Sequence, residues 1–175
     1  MRATREEDHA MKNSNLKRSP EAFIRDAQER AYKYERDFHG CSQAVLATFQ
    51  ELLDMEDALL LKAAGPLCAG LGSGKSCGAL AGGVLVLGMV YGRARLEEGP
   101  QGLRKGFALA QALVKRFEKE FGSTTCYEIS GVDWTDREAV KRSMSTNQAG
   151  EKCFQLVGKT AAMVAELLVE QAKDK

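Results

Sequence analysis

The chain has 175 residues, a length that one domain commonly accommodates, and its 44% hydrophobic content suffices for a continuous core without disulfide or metal support. Its 25 basic and 24 acidic side chains leave a formal charge of +1. That balance excludes the strong positive field that nucleic acid or an anionic membrane surface requires.

Residues 1 to 20 are polar, with charges of both signs and no apolar core of a secretory signal. They read as a flexible segment ahead of a single helical domain over 21–175. Without an export signal the expected compartment is the reducing cytoplasm, which disfavours a static disulfide framework for the five cysteines. From Glu21 to Phe38, Phe23, Ala27, Ala31, Tyr34 and Phe38 recur at spacings of three and four, drawing one stripe on a helix with Ser19 as N-cap and Pro20 as first residue. Gly40 interrupts it. A second helix runs from Cys41 through Val45, Leu46, Phe49, Leu52 and Leu53, and Asp54 to Ala64 reads as a shorter third.

Gly65 to Ser76 is a glycine-rich loop that delivers the chain to Cys77. In the helix that follows, Leu80, Ala81, Val84, Leu87 and Tyr91 are in phase with Cys77, while Gly82, Gly83 and Gly88 permit close backbone approach. It is expected at the centre of the fold. Its apolar run, Ala79 to Tyr91, is shorter than the roughly 20 residues a membrane crossing takes, so membrane insertion is not expected. Leu103, Phe107, Ala110, Val114, Phe117 and Phe121 form a further stripe ending at Gly122, a C-terminal cap. Cys126 to Ser130 reads as one turn opened by Thr124 or Thr125 and closed by Gly131. A polar stretch through Asn147 then leads to a last helix with Cys153, Leu156, Val157, Thr160, Val164, Leu167 and Leu168 on one face. No segment alternates with period two, so the fold class is all-α: a compact helical bundle around a central glycine-rich apolar helix.

Cys41, Cys77 and Cys153 each fall in the first turn of a predicted helix, and Cys126 opens a turn of its own. Unpaired N–H groups at such positions lower a thiol's pKa from about 8.5 toward about 3.5–7.5, making thiolate available as nucleophile or ligand. A helix end contributes only about 0.3–1 kcal/mol toward a neighbouring anion, too little to gather several thiolates in an apolar centre. Converging sulfurs must therefore be paired by oxidation, held protonated, or bound to a cation such as zinc or an iron–sulfur cluster. Cysteine also packs as a small hydrophobe, so a structural domain with buried or zinc-bound cysteines is the competing reading. No C-x-x-C pair occurs, and any site has to be assembled from distant segments.

Ser42-Gln43-Ala44-Val45-Leu46 after Cys41, then Cys77-Gly78-Ala79-Leu80-Ala81-Gly82, then single cysteines at 126 and 153, resemble the redox-active protein family named for four cysteines around a C-G-A-x-x-G motif (C_GCAxxG_C_C). Related domains occur in split-Soret-type cytochromes. The resemblance implies that Cys41, Cys77, Cys126 and Cys153 are the redox-active thiols and the ligands of any metal or cluster. It implies electron transfer through an iron–sulfur centre or reversible thiol/disulfide exchange with an unidentified redox partner. It leaves a homo-oligomer open, and whether the protein is an enzyme is not decided. Cys68 has no counterpart in the pattern and reads as incidental, whereas Cys77, at a helix start beside Gly78, is expected to yield thiolate first. No C-x-x-C-H haem-attachment sequence is present, so cytochrome chemistry does not carry over.

His39 reads as a solvated helix cap, and Trp134, Tyr127 and the phenylalanines as core or pocket-lining residues. Ala69-Gly70-Leu71-Gly72-Ser73-Gly74-Lys75-Ser76 departs from the phosphate-cradling G-x-x-x-x-G-K-[ST] pattern only at its first position. It lacks the preceding strand and the acidic metal partner that such a loop requires. Calorimetry with ATP or GTP and magnesium should therefore read only background heat; micromolar binding that disappears in Lys75→Ala would contradict this assignment.

Overall fold

The computed structural model describes residues 19–146 and 149–173. Within them the helices are α1 (Pro20–Phe38), α2 (Cys41–Leu52), α3 (Ala58–Ala64), α4 (Gly78–Tyr91), α5 (Arg104–Phe121), α6 (Cys126–Ser130), α7 (Arg137–Thr146) and α8 (Gly150–Lys173). No strand occurs among the described residues, only an isolated antiparallel bridge between Ser76 and Thr125. None of these helices is long and apolar enough to cross a membrane. The all-helical expectation is met.

Local chemistry sets the ends. Ser19 caps α1, its hydroxyl accepting from the Ala22 N–H at 3.2 Å, and Pro20 occupies the first turn, where no amide donor is needed. Asp57 caps α3 by accepting from Leu59 and Leu60, so that helix starts later than Asp54, which instead turns left-handed after α2. Gly122 and Gly131 close α5 and α6 in left-handed conformations. The polar stretch before the last helix contains α7, which the sequence pattern did not announce. Only Ser143 of that helix is buried, so it has almost no apolar stripe to read.

α4 is buried nearly all round, as a central helix must be. It packs against α2, α5 and α8, while α1 lies along α8. Two predicted stripes are rotated from their expected phase. Phe107 is 61% exposed, and α5 instead buries Leu109, Leu113 and Phe117. A side chain at Gly83 would stand 2.8 Å from Leu113 Cδ2 and 2.9 Å from Val164 Cγ2, so the bare backbone of α4 is the hole that admits Leu113. In α1, Phe38 is 76% exposed and the buried row runs Phe23, Ala27, Ala31 and then Glu35.

The contact that decides the site is between α4 and the first turn of α2. A Cβ on Gly82 would lie 2.5 Å from the Ser42 carbonyl oxygen and 2.9 Å from its Cα, and one on Gly78 would collide with the Cys41 sulfur. Glycines four residues apart lie on one helix face, so they form a groove into which α2 presses its backbone. Gly82→Ala should lower stability by about 1–3 kcal/mol, the usual cost of overpacking, read as a lower urea midpoint at unchanged slope. An unchanged midpoint would show that the two backbones are not held in contact.

Candidate functional site

Cys77 is the N-cap of α4, and Cys126 is the first residue of α6. The backbone ties them together. The Cys77 N–H donates to the Thr124 carbonyl at 2.8 Å, and the Cys126 N–H donates to the Lys75 carbonyl at 2.6 Å, on either side of the Ser76–Thr125 bridge. Cys41 is brought in by the glycine groove, and Cys153 by the first turn of α8. All four line one cavity of about 310 Å³. The fifth cysteine, Cys68, lines it too.

The glycine-rich loop takes a shape that serves this placement. Residues 69 to 72 form a left-handed turn, with Ala69 at φ 53° and Leu71 at φ 61°, a conformation non-glycine residues adopt at a cost of about 1–2 kcal/mol each. Lys75, after the turn, donates its backbone N–H to Gly70 at 2.9 Å and offers its carbonyl to Cys126. The turn thus folds the chain between Cys68 and Cys77 against α6.

Burial dominates the thiols. Cys77 is 6% exposed, and loss of solvent pushes its thiol up to about 11, outweighing the N–H groups of Leu80 and Ala79 at the start of α4. Cys153 rises to about 12 through burial and the like, negative charges of Glu35, Cys77 and Cys126. Cys126 is raised by burial, with Ser130 and Trp134 pulling the other way. The Cys41 thiol donates to Cys68, and that hydrogen bond, with burial and Glu35, holds it protonated well above the ordinary range.

Cys68 goes the other way. Its thiol falls to about 5, first because Cys41 donates to it, then because the Ser42 hydroxyl lies 2.9 Å away and the backbone N–H groups of Ser42 and Gln43 point at it. It is the sulfur seated on the N-terminus of α2, although it belongs to a different segment. The two sequence expectations about reactivity are therefore corrected. Cys77 is not the first thiolate, because desolvation exceeds what a helix end returns, and Cys68 does not stand apart from the other cysteines.

Glu35 was missed. It continues the 23, 27, 31 row by one more turn, is 7% exposed, lines the cavity, and its Oε2 has no hydrogen-bond partner. Burial, with the Cys68 charge second, raises its carboxyl to about 8. The signal in the sequence was an acidic residue in phase with an apolar row. Trp134 also lines the cavity, its buried indole N–H directed at Cys126. His39 sits at the rim, exposed as expected of a helix cap. Ser143 and Met144 of α7 complete one side. Among the described residues no group of three His, Cys, Asp or Glu is drawn together tightly enough to hold a single metal ion. No disulfide joins the five cysteines.

Fold and site together define a helical protein with a cysteine-lined internal cavity. Residues 39–167 match the family described as "Putative redox-active protein (C_GCAxxG_C_C)", and the chain belongs to that family. No curated protein and no solved structure gave a match. Cys41, Cys68, Cys77, Cys126 and Cys153 all fall within the matched span, whereas Glu35 precedes it.

In reduced, metal-free protein, iodoacetamide should modify Cys68 first, its rate rising through pH about 5, while Cys77 and Cys153 respond only as pH approaches about 11 and 12. Thiolate fraction grows with pH, so the order of inflections reads the order of pKa values. Peptide mapping after timed quenching measures it, and a common inflection near about 8.5 for all five would contradict this electrostatic account.

Proposed function

We propose that this protein is an electron-transfer protein in which Cys41, Cys77, Cys126 and Cys153 hold an iron–sulfur cluster. The observation that carries the reading is that these four thiols, from four different helices, line one largely apolar cavity of about 310 Å³. Four cysteines are the usual donor set of such clusters. A single zinc ion needs sulfurs at about 2.3 Å, which calls for a tight group that these residues do not form. The buried Oε2 of Glu35, without a partner, supports an occupant, since a buried polar group left unpaired costs about 1–3 kcal/mol.

When bound, such a cluster supplies reversible one-electron chemistry at a potential set by its surroundings. The chain's own part is to present thiolates and restrict water. Cys77 and Cys126 are too buried to meet a disulfide on a partner protein, so their burial suits ligation better than exchange. Loss of thiol protons on ligation removes the burial penalty, because the charge is then compensated.

A second reading rests on the nearness of Cys41 and Cys68, which meet at Gly78 and line the same cavity. The Cys68 thiolate would attack one sulfur of a partner disulfide, and the other sulfur would leave as thiolate. Cys41 would then attack the Cys68 sulfur, expelling the partner's remaining sulfur as thiolate and leaving a Cys41–Cys68 disulfide. The partner gains two electrons, and the Cys41 proton passes to a departing thiolate.

Purification without oxygen, followed by visible absorption and assay of iron, acid-labile sulfide and zinc, separates the readings. Iron and sulfide with broad charge-transfer bands are expected. A colourless, metal-free protein with a reversible disulfide would replace the cluster by thiol exchange, and zinc alone would make the cysteines structural.

A further inference from the structure

The cavity offers five thiols to a four-thiol donor set, and two of them share one corner. Cys41 and Cys68 meet at Gly78, where a Cβ would strike the Cys41 sulfur and lie 3.1 Å from the Cys68 Cα, and the first turn of α2 fixes both: it carries Cys41 in its chain and holds the Cys68 sulfur with the Ser42 hydroxyl at 2.9 Å. A Cβ on Gly40, just before that turn, would lie 3.8 Å from the Cys68 sulfur. Cys77, Cys126 and Cys153 approach from other elements, with Cys77 and Cys126 locked by the backbone bonds across the Ser76–Thr125 bridge. The remaining three corners therefore have one thiol each. The unpartnered, deeply buried Oε2 of Glu35 independently marks this cavity as one that receives a ligand.

We propose that Cys68 is a fifth ligand of the site, interchangeable with Cys41 at the corner formed by the start of α2. The inference rests on the iron–sulfur reading above and adds to it a residue outside the four-cysteine pattern. The physical basis is proximity. Two thiols that meet at one turn and face one cavity reach the same iron atom by side-chain rotation. One thiolate ligates while the other remains beside it as a hydrogen-bonding neighbour, so exchange of the two leaves the total of four thiolates unchanged.

The test is iron and sulfide per chain, with visible and electron paramagnetic resonance spectra, for oxygen-free preparations of wild type, Cys41→Ala, Cys68→Ala, Cys41→Ala/Cys68→Ala and Cys77→Ala. Each single variant at residues 41 and 68 should keep most of its iron, with an altered spectrum in Cys41→Ala. The double variant and Cys77→Ala should lose it. Disturbing a ligand's outer partner alone costs about 10–100-fold in affinity, so a ligand lost without a substitute should cost at least that. Cys41→Ala falling as far as Cys77→Ala, or the double variant retaining its iron, would overturn the proposal. Wild type without iron would instead remove the iron–sulfur reading on which it stands.

A measurement on metal-free wild type guards against variants that do not fold. Diamide takes two electrons and two protons from a pair of neighbouring thiols, and peptide mapping then identifies the disulfide. A Cys41–Cys68 link should be the first to form. If neither this link forms nor Cys68 supports iron in Cys41→Ala, Cys68 is not within reach of that corner.

Discussion

The site depends on the absence of side chains at two positions of α4. Gly78 and Gly82 let the first turn of α2 rest on bare backbone, with the Ser42 carbonyl where a Cβ of residue 82 would be and the Cys41 sulfur where one of residue 78 would be. Any larger residue at either place drives α2 outward. Since Cys77 is the residue before Gly78, this packing also determines how near Cys41 comes to Cys77. The C-G-A-x-x-G motif is thus a helix-crossing device: its cysteine faces the cavity and its glycines bring the next wall to it.

A second constraint acts through hydrogen bonds rather than packing. Three segments without regular structure in common, the left-handed turn at 69–72, the start of α4 and the start of α6, are joined by the short bridge around Ser76 and Thr125. These bonds satisfy amides at the starts of α4 and α6 that their helices cannot. They also explain why a loop resembling a phosphate cradle does other work. Its Lys75 carbonyl receives the Cys126 amide, and its backbone packs against α6.

The electrostatics follow from where water is excluded. Helix starts favour thiolate by modest amounts, whereas transfer of a charge into an apolar cavity costs several kcal/mol, so burial prevails for Cys77, Cys126 and Cys153. Cys68 escapes because it is only half-buried, stands beside the Ser42 hydroxyl and faces the N–H groups at the start of α2 and the Cys41 thiol. Glu35 shows the opposite case: it is buried beside the like charge of Cys68 and retains its proton to about pH 8. A cavity that holds neutral thiols at Cys41, Cys77, Cys126 and Cys153 beside a neutral carboxyl, with Cys68 alone ionised, is one in which a compensating cation changes the ionisation of the lining.

From the sequence came the helical class, the central position of α4, most helix limits and the four-cysteine pattern, because apolar periodicity, capping residues and glycine breaks are local properties of the chain. The row Phe23, Ala27, Ala31 and Glu35 was legible in principle, yet a carboxylate in an apolar register becomes meaningful only when its surroundings are known. Tertiary structure alone decided that Cys68 joins the other cysteines, since its neighbours Cys41 and Ser42 lie more than twenty residues away in the chain and nothing in its own segment announces them. It likewise decided the phase of α5 through the hole at Gly83, and the order of thiol acidity. Local helix position predicts which amides are free, but pKa depends on how much solvent has been removed, and that is fixed only when distant segments close over the same cavity.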